Sequence, residues 1–263
     1  MNKILYDIKE FLVLSKCPSC GTITRRSGTL CAECLEKYKK EKDAPCRFCG
    51  MPASVCVCST RGLFYSRRLG ASMRSVLFYT GENEVFASLL KHLKYDPDRG
   101  AEKFLARDLS HELLLLFAGS GEFPGDWRVT FPPRRRGALG RYGFDQSAGL
   151  AKRIAKYTGA AFEKTFSRRG DVAQKTLGSE ERKKNAERSY VLKRGVEVKG
   201  GRYIIVDDVI TSGSTVKACE RILLSRGASE VFALSVAKTP MRGAGYDERP
   251  RFRKRKGELW FGK

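Results

Sequence analysis

Apolar residues along the chain recur with two periods, and the two alternate. At the start, Ile4, Leu5, Ile8, Phe11 and Leu12 fall at helical spacing and predict a short amphipathic helix. RRLGASMRSVLFYTG has the aromatic and branched residues of a strand, with a glycine stop. In ENEVFASLLKHLKY, Phe86, Leu89, Leu90 and Leu93 make one apolar face, which predicts a helix. Residues 101–117 predict a second helix, GSGEFPGD a loop, and WRVTF a short strand stopped by Pro132 and Pro133. RRRGALGRYG reads as a glycine-punctuated basic loop, and FDQSAGLAKRIAKYTG as a helix ending at Gly159. YIIVDD lacks polar alternation, the pattern of a strand buried on both faces. STVKACERILLSRG then predicts a helix and SEVFALSVAKT a strand. Strands alternating with helices predict an α/β fold, a parallel sheet flanked by helices.

One region escapes both periods. Eight of the nine cysteines lie between residues 17 and 58, in the couples Cys17/Cys20, Cys31/Cys34, Cys46/Cys49 and Cys56/Cys58. Two residues between thiolates let one tight turn present both sulfurs to a tetrahedral ion, and two such turns complete a four-cysteine site. Cys17, Cys20, Cys31 and Cys34 make one set; Cys46, Cys49, Cys56 and Cys58 make the other, whose CVC couple is tighter than CxxC. Gly21 and Gly50 follow a couple, where a knuckle needs a permissive backbone. Disulfides and redox CxxC chemistry are the competing readings. Closed four-thiolate ligation is structural, because no coordination position is left for a substrate. A segment this short has little core of its own, and zinc binding, about 10–16 kcal/mol in finger peptides, supplies folding free energy.

Charge narrows the partners. The 263 residues include 51 Lys plus Arg against 29 Asp plus Glu, a formal net of +22. Such an excess attracts polyanions, nucleic acid or acidic lipid; the plainer alternative is a generally basic protein. No stretch approaches the roughly 20 apolar residues that span a bilayer. Asp7, Lys9 and Glu10 interrupt the first apolar segment, unlike a signal peptide. A cytoplasmic protein without membrane insertion is expected, its cysteines reduced or metal-bound. Three segments follow: a cysteine-rich zinc module over 1–66, an α/β domain over 67–240, and a basic tail over 241–263.

The candidate ligand site is YIIVDDVITSGST, residues 203–215. In open parallel sheets, ligands bind beyond the carboxyl ends of strands. Asp207 and Asp208 stand at such an end, and Thr211, Ser212, Gly213, Ser214 and Thr215 lead into a helix. Backbone N–H groups, a helix start and donor hydroxyls make a phosphate cradle. Two carboxylates beside it accept hydrogen bonds from vicinal sugar hydroxyls. The constellation reads as a holder of ribose 5-phosphate; the bland alternative is a strand end followed by a helix cap.

IIVDDVITSGST resembles the phosphoribosyl pyrophosphate signature of type I phosphoribosyltransferases. RYGFDQSAGLAKRIA, LLKHLKY, and QKTLGSEERKKNAERSY with Gln174, Leu177, Arg182 and Asn185 are similar to stretches of the ComF competence-protein family, as is an amino-terminal zinc ribbon. The resemblance implies a type I phosphoribosyltransferase-like sheet with an N-terminal zinc-ribbon module. By carry-over, Asp207 and Asp208 meet the ribose hydroxyls, Thr211 to Thr215 hold the 5-phosphate, and Mg²⁺ rides on the diphosphate and ribose oxygens. Three departures stand out: VTFPP replaces a Pro-rich VPVP-like strand end, Asp145 an Asn, and Tyr142 an Arg. If the family's Asn and Arg serve the diphosphate, this chain has lost a donor and gained a repelling carboxylate. Arg134, Arg135, Arg136 and Arg141 offer bidentate compensation, with nucleic-acid contact and a solvated face as alternatives.

Two functions are expected from the resemblance. One is handling single-stranded DNA during natural transformation, with a helicase or uptake machinery as partner. The other is phosphoribosyl transfer to an unidentified acceptor. The tail's RPRFRKRK, with Phe252, Trp260 and Phe261, combines phosphate attraction with stacking surface, or is simply a basic end. His92 and His111 lie on predicted helices and read as surface or packing residues. Cys219 reads as a core thiol rather than a nucleophile. The cysteine couples predict two zinc ions per purified chain; metal analysis finding one or none removes one or both sites.

Overall fold

The computed structural model describes residues 14–58, 65–71, 73–95, 99–134, 145–168 and 189–240. The helix expected over residues 4–12, most of the basic loop with Arg135, Arg136, Arg141 and Tyr142, the 174–185 stretch and the tail lie outside the described residues.

Five strands form one parallel sheet: β3 (Arg74–Phe78), β4 (Trp127–Thr130), β5 (Ala161–Phe162), β8 (Arg202–Ile210) and β9 (Glu230–Lys238), in the order β3-β9-β8-β4-β5. Two antiparallel pairs stand apart, β1 (Ser15–Lys16) with β2 (Ile23–Thr24), and β6 (Phe166–Arg168) with β7 (Tyr190–Leu192). The helices are α1 (Ala32–Asp43), α2 (Glu84–Tyr95), α3 (Gly100–Ser120), α4 (Gln146–Thr158) and α5 (Ser214–Ser225).

The pleat divides the core in two. On β8, Ile204 and Val206 join the cluster that holds α2, α3 and α4, while Tyr203 and Ile205 join the one that holds α5, Phe166 and Tyr190. β9 divides likewise, Phe232, Leu234 and Val236 against Val231 and Ala233. Covered on both faces and paired on both edges, β8 is the central strand that its unbroken apolar run predicted. Gly159, at φ 84°, ends α4 in the left-handed conformation that glycine adopts without strain.

The cysteine-rich segment is built into this body. Tyr38 Oη donates to Asp108 Oδ2 at 2.7 Å, and Lys42 Nζ meets Asp108 at 2.7 Å and Glu112 at 3.2 Å. Glu41 accepts from the N–H groups of Val85 (2.8 Å) and Phe86 (2.9 Å), so a carboxylate on α1 caps α2. The reading along the chain did not anticipate α1, since only Cys34 and Tyr38 on it are buried, too few positions to make a periodic stripe. β5, β6 and β7, at two or three residues, are too short for any period to appear.

Helices α3 and α4 cross over a buried carboxylate. Glu102, 2% exposed, is held by Arg153 Nε at 2.5 Å and Arg99 Nη1 at 3.1 Å. Gly149 leaves the space: a Cβ there would sit 2.1 Å from Glu102 Oε2. In an ordinary helix interior, Gly→Ala stabilises by about 1 kcal/mol. Here the sign reverses, because Glu102 cannot shift without breaking its ion pairs. Gly149→Ala is expected to lower stability by about 1–3 kcal/mol, read from denaturant midpoints; an unchanged or raised midpoint refutes this crossing geometry.

Candidate functional site

Asp207 and Asp208 close the buried run of β8, and the pleat sends them to opposite faces of the sheet. Asp208 lies on the α2/α4 side, where its Oδ2 accepts from Gln146 Nε2 at 2.9 Å and faces Lys94 Nζ at 3.6 Å. Asp207 lies on the α5 side, and its Oδ1 accepts from Ser147 Oγ at 3.3 Å and from the Asp208 N–H at 3.0 Å. Gln146 and Ser147 are consecutive at the start of α4, so one helix terminus serves both carboxylates. Gln146 is 5% exposed, and its Oε1 is buried with no hydrogen-bond partner. Buried polar atoms are nearly always satisfied, and an exception beside two carboxylates points to a place for a ligand's hydroxyl or a water.

Burial, reinforced by the neighbouring Asp208 charge, holds the Asp207 carboxyl well above the ordinary range. Past β8, Thr211 and Ser212 form an exposed bend and Gly213 turns at φ 71°. Ser214 and Thr215 open α5; its N-cap, Gly213, has no side chain to offer, and the Ser214 N–H donates to Ser212 Oγ at 3.5 Å. The Ser212 and Ser214 hydroxyls lie 3.0 Å apart. A helix start and neighbouring hydroxyls together favour an anion.

The β6–β7 pair walls the other side. Arg168 Nη1 donates to the Tyr190 hydroxyl at 3.2 Å and its guanidinium covers the Tyr190 ring, while its Nε and Nη2 are buried with no hydrogen-bond partner. Burial pushes the Tyr190 hydroxyl up, with Arg168 and Thr215 pulling against it. Spare guanidinium donors beside the α5 start add to its attraction for an anion.

Asp145, where the resembling family has Asn, is engaged by the backbone. Its Oδ1 accepts from the Ala148 N–H at 3.2 Å, capping α4, and its Oδ2 accepts from the Arg134 N–H at 2.8 Å. Both oxygens are engaged by backbone, so the residue ties the segment after β4 to α4. Arg134 is partly buried at that junction. His92 Nδ1 contacts the Ser88 carbonyl within its own helix at 2.9 Å, and His111 is exposed on α3. Cys219 is fully buried in the α5-side core, where burial raises its thiol. Lys94, Ser147 and Arg168 escape a reading along the chain, since nothing local gives them an anion or an acid to meet.

The eight N-terminal cysteines gather as two sets, Cys17, Cys20, Cys31, Cys34 and Cys46, Cys49, Cys56, Cys58, the sulfurs of each within 4.8 Å of one another. The two knuckles match. The Cys17 N–H donates to Thr22 O at 2.7 Å and Gly21 N–H to Cys17 O at 2.9 Å; Cys46 N–H donates to Met51 O at 2.9 Å and Gly50 N–H to Cys46 O at 2.8 Å. Gly21 and Gly50 adopt φ 81° and 71°. Hydrogen bonding with Thr22 pulls Cys20 down to about 6, while burial pushes Cys34 up to about 12. Four thiols with such unequal tendencies become equal ligands around one divalent cation, so either set could hold zinc.

A cleft of about 530 Å³ opens at the carboxyl ends of β3 and β9, where Arg47 faces Tyr79, Asn83 and Thr239. It adjoins the phosphate-loop candidate, because the Thr239 N–H donates to Ile210 O at 3.1 Å. Among the described residues no helix is long and apolar enough to cross a membrane.

The phosphoribosyl transferase domain family matches residues 145–253. A DNA utilization protein YhgH from Salmonella typhi is 30% identical over 213 residues, 80% of this chain and 90% of that protein. The competence protein ComFC of Streptococcus pneumoniae R6 is 22% identical over 209 residues, 80% of this chain and 87% of that one. Among solved structures, the allosteric regulatory enzyme of purine biosynthesis overlaps 55% of this chain and 29% of its own, with 22% identity and a TM-score of 0.36. This chain thus spans under a third of that enzyme, a likeness too remote to bear on the site.

The raised Asp207 carboxyl has a stability consequence. A folded-state pKa above the unfolded one means that the folded chain holds the extra proton between the two values. Stability therefore falls as pH rises from the ordinary carboxylate range through the folded value. Asp207→Asn is expected to flatten that slope and, above the window, to melt higher than the parent, about 2–4 °C for each kcal/mol recovered. Thermal melts of the ligand-free protein across pH check this; a variant that melts lower at every pH refutes it.

Proposed function

This chain belongs to the ComF family, with its phosphoribosyltransferase-like domain, and on that premise we propose that it binds phosphoribosyl pyrophosphate, or a related ribose phosphate, and acts in DNA uptake by handling single-stranded DNA. The observation that carries the ligand assignment is one juxtaposition: two carboxylates held by the start of α4, at the end of the strand that leads through a hydroxyl-bearing bend into the start of α5.

In this reading Asp207 and Asp208 accept from the ribose hydroxyls. Thr211, Ser212, Gly213, Ser214 and Thr215 enclose the 5-phosphate with backbone and hydroxyl donors. Lys94 and Gln146 orient Asp208, and Ser147 orients Asp207. Mg²⁺ accompanies the diphosphate, supplying charge neutralisation next to these oxygen donors. Arg134, with Arg135, Arg136 and Arg141, lies in sequence between β4 and α4 and serves the diphosphate or a nucleic-acid backbone. Zinc in the two cysteine sets is structural, since four thiolates leave no position for a substrate. Residues 1–66 form the zinc module, 67–240 the ribose phosphate domain, and 241–263 a basic tail for the single strand.

The relatives' names, a DNA utilization protein and a competence protein, support the DNA side. So does the formal net charge of +22. The compartment in this reading is the cytoplasm, where an incoming strand meets helicase or uptake machinery. Catalytic transfer to an acceptor is a second reading, favoured by the cleft beside Ile210 and Thr239, which has room for a planar acceptor.

Calorimetric titration of metal-replete protein with phosphoribosyl pyrophosphate is expected to show binding that Mg²⁺ strengthens and that the Asp207→Asn/Asp208→Asn double variant loses. Unchanged affinity in that variant overturns the sugar assignment. Affinity for single strands is expected to fall with salt, at a log–log slope of about −0.7 per phosphate contacted; a salt-independent association removes the DNA reading. Diphosphate release in the presence of candidate acceptors separates turnover from binding.

A further inference from the structure

Lys238 is the last residue of β9 and is completely buried. Lysine is almost never so placed without a carboxylate, and among the described residues no acidic group lies within ion-pair reach of it. Its Nζ donates to the carbonyl oxygen of Cys56 and lies 5.5 Å from the centre of the Phe78 ring. Phe78 in turn packs with Cys46, Ala53, Cys56 and Cys58 in one buried cluster. The sheet therefore delivers a buried ammonium to the underside of the second cysteine set. Among the described residues the first set has no buried ammonium of this kind: Lys37, whose charge reaches Cys34, is half exposed and paired with Glu33 at 3.1 Å.

A tetrathiolate holding a divalent cation keeps a net charge of about −2. Exposed, that charge is solvated by water; three of the second set's four cysteines are buried, so the compensation has to come from the protein. We propose that Lys238 is the counter-ion of the second zinc tetrathiolate, and that through it ion occupancy is coupled to the sheet edge that carries the ligand site. The proposal rests on the reading that this set holds zinc. Lys238 is also the last rung of the β8–β9 ladder, opposite Ile210, and the following residue, Thr239, donates to Ile210 O. Its carbonyl accepts from the Tyr79 N–H at 2.9 Å, which ties β3 to the same point. One residue thus joins the cysteine set, two strand ends and the bend at Thr211. With the ion gone, the same ammonium is a buried charge whose hydrogen-bond partner, among the described residues, is the Cys56 carbonyl, an unfavourable state.

Lys238 therefore stabilises the zinc-loaded protein and not the stripped one, and a double comparison exposes this. The full chain is studied as parent, Lys238→Met and Lys238→Gln, each zinc-loaded and chelator-stripped. Zinc release into a colorimetric chelator is followed alongside thermal melting, and the two release phases are assigned with Cys49→Ser. The expected result is a second-set ion that leaves at least tenfold faster from Lys238→Met, with the first-set phase unchanged. The loaded variant melts below the loaded parent, and the stripped variant melts at or above the stripped parent. Unchanged release, or equal destabilisation with and without zinc, overturns the proposal and leaves Lys238 a packing residue. Lys238→Gln keeps a donor without the charge and gives the same discrimination if the Met variant does not fold. A parent carrying no ion in the second set overturns the zinc reading itself, and the counter-ion role with it.

Discussion

The central strand β8 has no spare hydrogen-bonding capacity and no open face along its buried length. Its backbone is paired with β9 on one edge and β4 on the other, and both faces are covered by apolar side chains. A charged group inside that length would be stranded in an apolar layer. Polar chemistry is therefore confined to the strand's carboxyl end, where the covering helices begin. Asp207 and Asp208 occupy that end, and the start of α4 reaches both from one side. The site follows from saturation of the sheet: a place where charge is tolerated exists only where strand pairing and helix cover both run out.

The same edge carries the strain expected of a binding site. Asp207 is held above its ordinary range by burial and by its neighbour. Gln146 Oε1 and two nitrogens of Arg168 are buried without partners. Each is a cost to the ligand-free fold that an arriving hydroxyl, water or anion can offset. Asp145 shows the contrast. Its environment raises its carboxyl too, but both oxygens are satisfied by backbone N–H groups, and it ties the segment after β4 to α4.

The cysteine-rich segment and the sheet share interactions that neither could make alone. Glu41 on α1 caps α2, and Asp108 on α3 receives Tyr38 and Lys42. Lys238 reaches from β9 to the second cysteine set. Cysteine sets with little core of their own gain rigidity from such contacts, and the sheet gains a fixed boundary at β3 and β9. Any function that needs β8 and its bend to stay in place is therefore linked to the integrity of the cysteine sets.

Much of this was legible along the chain. The buried run of YIIV, the Gly159 end of α4, and the cysteine couples with Gly21 and Gly50 are local, each decided within a few residues by steric preference or ligand spacing. What could not be read were meetings between residues far apart in sequence: Lys94 with Asp208, Ser147 with Asp207, Asp145 with the Arg134 N–H, and Lys238 with Cys56. Strand register and pleat parity decide these. They send two adjacent aspartates to opposite faces and a lysine to a cysteine set 182 residues away in sequence. By itself the sequence determined the longer strands and helices of the sheet and the kind of chemistry each could carry. Tertiary structure alone decided which charges meet, because that depends on the register between strands, and no local pattern encodes it.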